Sequence, residues 1–256
     1  MSEAGLVQRT IWILRAVAAN PEGMGLSEVA RAAEIPKATC YRVLSVLERE
    51  RWLDLDPVTK RYRVSFGLLS IVGGLLDQGG AHTQMQAILR DLAERTQETS
   101  GLDVLMPPHV MVVSQVTGPK VIGQTYRPVP RTLSVWRTST GKALLSSLTP
   151  EQVRADFGDD FAENRPAHLP DLGVFLEELA EVRERGYAVA YDEMEEGAAA
   201  VAATVRTRHT EPYAVWIGGP TFRITRERIP EIAAHVREAA GQLERVLEVT
   251  GAVIHR

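Results

Sequence analysis

The sequence predicts an α+β protein in which a mainly helical N-terminal part precedes a larger domain built on an antiparallel sheet. Residues 26–50 carry two runs with helical spacing, separated by Ile35-Pro36, and two short alternating segments follow them. After residue 80, apolar strands and amphipathic helices are mixed without strict βαβ order, which is typical of an antiparallel sheet. We expect helices to cover that sheet on one side.

Three helices are predicted in the first 50 residues. The first covers Val7 to Ala19 and is stopped by the Asn20–Gly23 turn. The second begins at Ser27, a residue type favoured as an N-cap, and ends before Pro36, because proline disfavours helical geometry in the preceding residue. The third follows Pro36 and repeats apolar residues along one face, namely Cys40, Val43, Leu44 and Leu47.

The opposite face of the third helix presents basic and small polar side chains. At 100° per residue, the outward positions are Ala38, Arg42, Ser45, Val46 and Arg49, with Thr39 and Tyr41 on the flanks and Lys37 at the entry. A helix of this kind, placed after a short helix and a turn, is suited to a DNA major groove. On the pattern alone, an ordinary amphipathic helix pair with a solvated charged face explains these residues equally well.

A β-hairpin is predicted next, with Trp52–Leu55 and Arg61–Val64 as its arms around a proline-containing turn. Arg61 and Arg63 share one face of their strand and follow Lys60 directly. Three helices and a basic hairpin are the layout of a winged helix-turn-helix domain, whose hairpin contacts phosphates or the minor groove. We assign this domain to residues 1–65.

The charge distribution supports a nucleic-acid partner for this domain. The whole chain has a net charge of −4, but residues 1–64 hold ten Lys and Arg against eight Asp and Glu, and residues 37–63 hold seven against four. Phosphate contact requires local positive charge rather than a basic whole chain. The basic surface therefore coincides with the helix pair and the hairpin.

The remaining residues predict a linker helix at 66–80 and a second domain at 81–256. Helices are expected at Met85–Thr96, Ser139–Leu148, from Pro150, at Leu172–Gly186 and at Ile229–Thr250. Strands are expected at Leu102–Met106, Val110–Val116, Val121–Tyr126, Tyr187–Tyr191, Ala198–Arg206 and Tyr213–Gly218.

The composition and the motifs exclude several function classes. The single cysteine, Cys40, allows neither an internal disulfide nor a cysteine-based zinc site. No apolar run approaches the roughly 20 residues of a membrane span, and no signal peptide is evident, so we expect a cytoplasmic protein. Ser139 and Lys142 fit the S-x-x-K pattern of penicillin-recognising enzymes, but the companion K-T-G is missing. The acidic run Asp192–Glu196 lacks the spaced ligands of a calcium loop. We expect no catalytic site, metal or cofactor.

Several stretches together resemble the IclR family of bacterial transcriptional regulators. Ile35–Leu44 resembles the recognition-helix motif L-P-K-S-T-x-x-R-L-L, and Arg63–Gly67 resembles the Y-x-L-G that ends the wing. Thr138–Leu145 resembles T-A-x-G-K-A-L-L, Gly186–Val205 resembles the block that begins G-Y-x-x-D-x-E-E, and Gly219–Arg223 matches G-P-x-x-R. The matches occur in family order and at family spacing over nearly the whole chain.

The resemblance implies a winged-helix DNA-binding domain, a linker helix that dimerises and a GAF/PAS-like domain that binds a small organic effector. It also implies a homodimer or homotetramer on a pseudo-palindromic double-stranded DNA operator. The expected DNA-binding residues are Lys37, Thr39, Tyr41, Arg42, Ser45, Arg49, Lys60, Arg61 and Arg63. We expect Cys40 to be a small core residue rather than a redox switch.

The resemblance also indicates where the effector binds. The expected residues are Leu133, Val135, Trp136, Ser139, Thr140, Ala190, Ala200, Trp216 and Gly218. Two tryptophans and few fixed charges favour an apolar or aromatic body, with Ser139 and Thr140 bonding one polar end, although either tryptophan could simply fill core. We therefore expect an aromatic acid or amide rather than glyoxylate or pyruvate.

The function expected from these features is that of a repressor of a catabolic operon whose operator affinity changes when the effector binds. A ligand-sensing protein that acts through a protein partner is the alternative. The basic surface over residues 37–63 discriminates between them, because a protein-interaction module would not need it.

Overall fold

The computed structural model describes residues 5–68, 81–122, 129–167, 169, 171–207 and 212–254. The chain divides into two compact units, Met1–Gln78 and Gly79–Arg256, and each has a hydrophobic core of its own. Within the described ranges, no helix is long and apolar enough to cross a bilayer.

The described part of the first unit contains three helices and a small antiparallel sheet. The helices are α1 (Leu6–Ala18), α2 (Leu26–Ala32) and α3 (Lys37–Arg49), and the strands are β1 (Met24–Gly25), β2 (Leu53–Leu55) and β3 (Arg61–Val64). The strand order is β1-β3-β2, so β3 pairs with both neighbours. The helix pair, the break at Pro36 and the hairpin predicted from the sequence are confirmed.

The first unit buries the predicted apolar face of α3. Cys40, Val43, Leu44 and Leu47 all lie in its core. The prediction for the start of α2 is wrong, because Gly25 rather than Ser27 is the N-cap. The backbone N–H of Gly25 donates to the Glu28 carboxylate at 2.8 Å, which places the helix start before Ser27.

The described part of the second unit contains a six-stranded antiparallel sheet and five helices. The helices are α4 (Ala81–Thr96), α5 (Ser139–Leu145), α6 (Pro150–Asn164), α7 (Leu172–Arg185) and α8 (Ile229–Ile254). The strands are β4 (Thr99–Met106), β5 (His109–Val116), β6 (Arg131–Ser134), β7 (Ala188–Tyr191), β8 (Ala198–Val205) and β9 (Tyr213–Pro220), in the order β6-β5-β4-β9-β8-β7. The predicted α+β class, with its antiparallel sheet, is confirmed.

The sheet of the second unit is covered on both faces, so the expected one-sided cover is wrong. Helices α4 and α8 pack on one face in a cluster with Val201, while α5 packs on the other face in a cluster with Ala202 that also includes α6 and α7. The small side chains of β8 allow this, because they let a helix approach closely on either side. The second face, with α5, holds the cavity described below.

Two predicted elements, a strand at 121–126 and the linker helix at 66–80, differ from what the structure shows in its described residues. Val121 and Ile122 are not in a strand, and the rest of the segment predicted at 121–126 lies outside the described residues. The edge strand next to β5 is instead β6, at Arg131–Ser134. The predicted linker helix begins as a short 3-10 turn at Phe66–Leu68, and from residue 69 to residue 80 it lies outside the described residues.

Candidate functional sites in the two units

In the first unit, α3 presents one face to solvent. Lys37, Tyr41, Arg42 and Arg49 are exposed, Tyr41 to 55%, and Thr39 and Ser45 are half-buried beside them. An aromatic side chain that is this exposed to solvent, with cationic side chains beside it, is suited to contact with a partner. Six of the nine residues predicted as DNA contacts, Tyr41 included, thus lie on this face of α3.

Cys40 lies on the opposite face of α3 and is fully buried. Burial raises the pKa of the Cys40 thiol, and this disfavours the reactive thiolate. The position therefore fits the small core residue expected from the helical spacing.

The basic residues of the hairpin have different surroundings from those of α3. Lys60 is exposed in the turn, whereas the Arg61 guanidinium pairs with Glu28 at 3.0 Å and donates to the Gly23 carbonyl at 3.0 Å. Arg63 donates to the Glu22 carbonyl at 3.2 Å. The two arginines therefore connect β3 to the segment between α1 and α2, while the Lys60 side chain is exposed to solvent.

The second unit contains a cavity of about 320 Å³ between the sheet and the start of α5. Seven of the nine residues predicted for the effector pocket line it, namely Leu133, Ser139, Thr140, Ala190, Ala200, Trp216 and Gly218. They come from separate strands and from α5, so only the fold brings them together. The small side chains of β7, β8 and β9 leave the room for a ligand.

The other two predicted effector residues, Val135 and Trp136, do not line this cavity. Both side chains are fully buried in the core behind the cavity. The Trp136 ring packs edge-on against Phe157, Phe161 and Phe175, and its indole N–H donates to Asp160 at 2.6 Å. Trp136 therefore belongs to the packing of α6 and α7, and the cavity has one tryptophan rather than two.

The most buried charged group on the cavity wall is Asp103 of β4, which is 1% exposed. Its Oδ2 accepts a hydrogen bond from the Thr140 hydroxyl at 2.7 Å, and its Oδ1 accepts one from the Trp216 indole N–H at 2.6 Å. Burial raises the pKa of Asp103 to about 6, although these two donors and the charge of Arg131 oppose the rise. Sequence reasoning missed this residue because it stands inside an apolar strand.

Gly101 explains how the Trp216 ring reaches this position. A Cβ at Gly101 would lie 2.5 Å from the indole ring, so only glycine lets the ring lie across β4. Gly101 and Trp216 are register partners on β4 and β9. A glycine opposite a tryptophan on paired strands is the signal from which this part of the cavity lining could have been identified.

The cavity also holds cationic side chains, so the expectation of few fixed charges is wrong. Arg131 of β6 donates to the Gln115 side chain at 2.8 Å, and Arg137 lines the cavity from the loop before α5. Glu195 and Glu196 lie on its rim. The cavity lining therefore combines apolar side chains with three carboxylates, including Asp103, and two arginines.

Lys142 faces away from this cavity. The residue is 1% exposed, and its ammonium donates to Glu178 at 2.6 Å, to Glu193 at 2.6 and 2.7 Å, and to the Val189 carbonyl at 3.3 Å. Ser139, by contrast, lines the cavity. The S-x-x-K pattern is therefore explained by an ion cluster that joins α5, α7 and the loop after β7. No group of three or more metal-binding side chains occurs in the residues that the structure describes.

Comparisons with known proteins cover both units. The model of the IclR helix-turn-helix domain matches residues 6–57, and that of the bacterial transcriptional regulator IclR C-terminal domain matches residues 75–245. The glycerol operon regulatory protein of Streptomyces coelicolor is 30% identical over 251 residues, which cover 94% of this chain and 95% of that protein. The acetate operon repressor of Salmonella typhimurium is 27% identical over 245 residues, with 92% and 87% covered.

The fold is also similar to solved structures. A crystal structure of an IclR homologue from Microbacterium hydrocarbonoxydans, complexed with 4-hydroxybenzoate, gives a TM-score of 0.77 over 96% of this chain and 100% of that chain. Its sequence identity is 19%, so the likeness concerns the fold.

Proposed function

The chain belongs to the IclR family of bacterial transcriptional regulators, and we propose that it is the repressor of a catabolic operon whose effector is an aromatic acid. The family assignment makes it a DNA-binding regulator with an effector-binding domain. We propose a DNA-binding domain at 1–65, a dimerising linker helix at 66–80 and an effector domain at 81–256.

The observation that carries the proposal is the exposed basic face of α3. Arg42 and Lys37 project from the helix that follows the turn, with Tyr41 and Arg49 beside them. In a helix-turn-helix domain this second helix lies in the major groove. Arginine there can bond guanine O6 and N7 as a pair, which makes Arg42 our candidate for base recognition. We propose that Thr39 and Ser45 add hydrogen bonds on the flanks.

The hairpin complements this helix. Lys60 is exposed at its tip, and we propose that it contacts phosphate, which adds affinity without sequence preference. Because the Arg61 and Arg63 side chains are bonded to the segment before α2, we propose that they chiefly hold the hairpin in place. A homodimer would read a pseudo-palindrome with half-sites about one helical turn, or a multiple of it, apart.

The cavity supports an effector with an aromatic body. Ala190, Ala200 and Gly218 leave open volume beside the Trp216 ring, which can stack on a flat ligand. The cationic side chains Arg131 and Arg137 suit a carboxylate. A homologue of this fold is known in complex with 4-hydroxybenzoate, and this compound is our first test ligand.

The proposed mechanism is linkage between the two sites rather than catalysis. An effector that binds better to one arrangement of the DNA-binding domains shifts operator affinity, and a coupling of about 1–3 kcal/mol corresponds to roughly 5- to 150-fold. We propose no enzymatic activity, since the Lys142 ammonium is held by two carboxylates and is not beside Ser139 as a base.

Footprinting of the DNA upstream of the protein's own gene tests the proposal. We expect one protected region with pseudo-palindromic half-sites, and its protection should change when 4-hydroxybenzoate is added. A uniform, sequence-independent footprint would contradict the proposed operator recognition, and no protection at all would favour a sensor that acts through a protein partner.

A further inference from the structure

We propose that Asp103 determines the specificity of the cavity by selecting an effector that presents an O–H or N–H donor to its buried carboxylate. The inference rests on the proposed effector-binding function and adds the chemistry of the second polar end of the ligand. With the aromatic body already proposed, the ligand class is an aromatic acid that carries a ring hydroxyl or a ring amine.

The first support is the hydrogen-bonding capacity of Asp103. An ionised carboxylate offers about four acceptor positions, and Thr140 and Trp216 occupy two of them. Because Asp103 lines the cavity, a ligand can reach the remaining capacity. Since Asp103 is only 1% exposed, a bound apolar group would leave this remaining capacity unused in a place that water hardly reaches, which is unfavourable.

The second support is the electrostatic environment. Both direct donors to Asp103 are neutral, and the carboxylate is 1% exposed. The charge of Arg131 acts on it from β6, while Arg137 and the rim residues Glu195 and Glu196 are the other charged groups that line the cavity. A donor from the ligand would stabilise the ionised form in this desolvated place.

The third support is the position of Asp103 relative to Arg131. Asp103 pairs with Val112 on β5, and Val112 pairs with Arg131 on β6, so the three residues form one row across three strands. Two strand spacings separate the backbones of Asp103 and Arg131 by about 10 Å. The acidic and basic side chains of this row can therefore bind opposite ends of one substituted ring, with Trp216 beside it.

Isothermal titration with four matched ligands tests the inference. 4-Hydroxybenzoate and 4-aminobenzoate carry a donor at the ring position opposite the carboxylate, whereas benzoate and 4-methoxybenzoate do not. We expect the first two to bind wild-type protein at least about tenfold more tightly than the last two, as for a hydrogen bond to a charged group. In Asp103→Asn the preference should fall towards equality, because the acceptor is no longer charged.

Asp160→Asn is the matched control, since Asp160 also accepts an indole N–H, from Trp136, but lies outside the residues that line the cavity. Its ligand preference should equal that of wild type. The inference is overturned if benzoate binds as tightly as 4-hydroxybenzoate, if none of the four ligands binds, or if Asp103→Asn keeps the full preference. If Asp103→Asn does not fold, the wild-type series decides alone. Operator binding is measured separately, so the proposed DNA-binding role can survive any of these failures, whereas the proposed aromatic-acid effector survives only if at least one of the four ligands binds.

Discussion

The indole N–H of Trp216 donates a 2.6 Å hydrogen bond to the carboxylate of Asp103, across the strand boundary between β9 and β4. Gly101 makes this contact possible, because a side chain at that position would collide with the ring. With Thr140 on the other oxygen, the pair connects three elements at one corner of the cavity. The ionisation of Asp103 is therefore linked both to the stability of the fold and to the properties of the site.

The stability of the protein should reflect this ionisation. In the folded state the pKa of Asp103 is about 6, above its ordinary value of 3.8, so the folded state retains a proton that the unfolded state has lost. The ionisation of Asp103 therefore lowers the free energy of unfolding as the pH rises from about 4 to about 6, and this contribution is constant above that range. The size is about 3 kcal/mol, from roughly 1.4 kcal/mol for each unit of pKa.

Asp103→Asn does not titrate, and this isolates the contribution. The free energy of unfolding of the variant minus that of wild type, from urea titrations at several pH values, should rise by about 3 kcal/mol between pH 4 and pH 7. The Asn side chain keeps one acceptor, and the Thr140 hydroxyl can rotate to accept from its amide. A difference that does not change with pH would show that Asp103 titrates normally.

Arg42→Ala should weaken binding to the operator by about 1–3 kcal/mol if Arg42 reads a base, with little effect on binding to random DNA. Fluorescence anisotropy with both DNAs measures the two losses. Arg15→Ala, an exposed arginine on α1, is the control and should change neither by as much. Equal losses on both DNAs would assign Arg42 to phosphate, and no loss on either would remove it from the interface.

Lys60 and Arg61 are neighbours in sequence but should behave differently. Lys60→Ala should weaken binding to all DNA sequences and reduce the salt dependence by about one counterion, as expected for a phosphate contact. Arg61→Ala should leave that slope unchanged and instead lower the stability of the first unit by about 1 kcal/mol, since it loses contacts with Glu28 and Gly23. A reduced salt slope in Arg61→Ala would show that this arginine also reaches the DNA.

Lys142→Met should destabilise the second unit by about 3–5 kcal/mol, because it leaves the Glu178 and Glu193 carboxylates without their cation in a poorly solvated place. Replacing Glu193 by Gln in the same chain should restore part of this loss. Urea unfolding of the single and double variants measures both effects. A neutral Lys142→Met would mean that the ion cluster contributes nothing net to stability.

The sequence predicted the elements of the first unit well, because their signals are local. The apolar spacing of α3, the proline before it and the alternation of Arg61–Val64 each depend on neighbouring residues in the chain. The predicted N-cap of α2 is wrong because the Glu28 carboxylate accepts a hydrogen bond from the backbone N–H of Gly25. The helix therefore begins before Ser27, although serine is the residue type favoured at an N-cap.

The residues that line the cavity were predicted only in part, and the errors in that prediction have a common cause. Trp136 and Trp216 look alike in sequence, but one packs among three phenylalanines while the other lies against Gly101 on the neighbouring strand. Asp103 and Arg131 share a site only through the register of three strands, and β6 was not predicted. Long-range pairing decides these positions, and spacing along the chain does not record it.

We propose that ligand binding in the second unit changes the affinity of the first for its operator. The direct measurement is the anisotropy of a labelled fragment from upstream of the protein's own gene, titrated with the full chain in the absence and presence of 4-hydroxybenzoate at a concentration that saturates the protein. We expect the affinity for this fragment to change by roughly 5- to 150-fold and the affinity for scrambled DNA to stay the same. The same affinity with and without saturating ligand would contradict it.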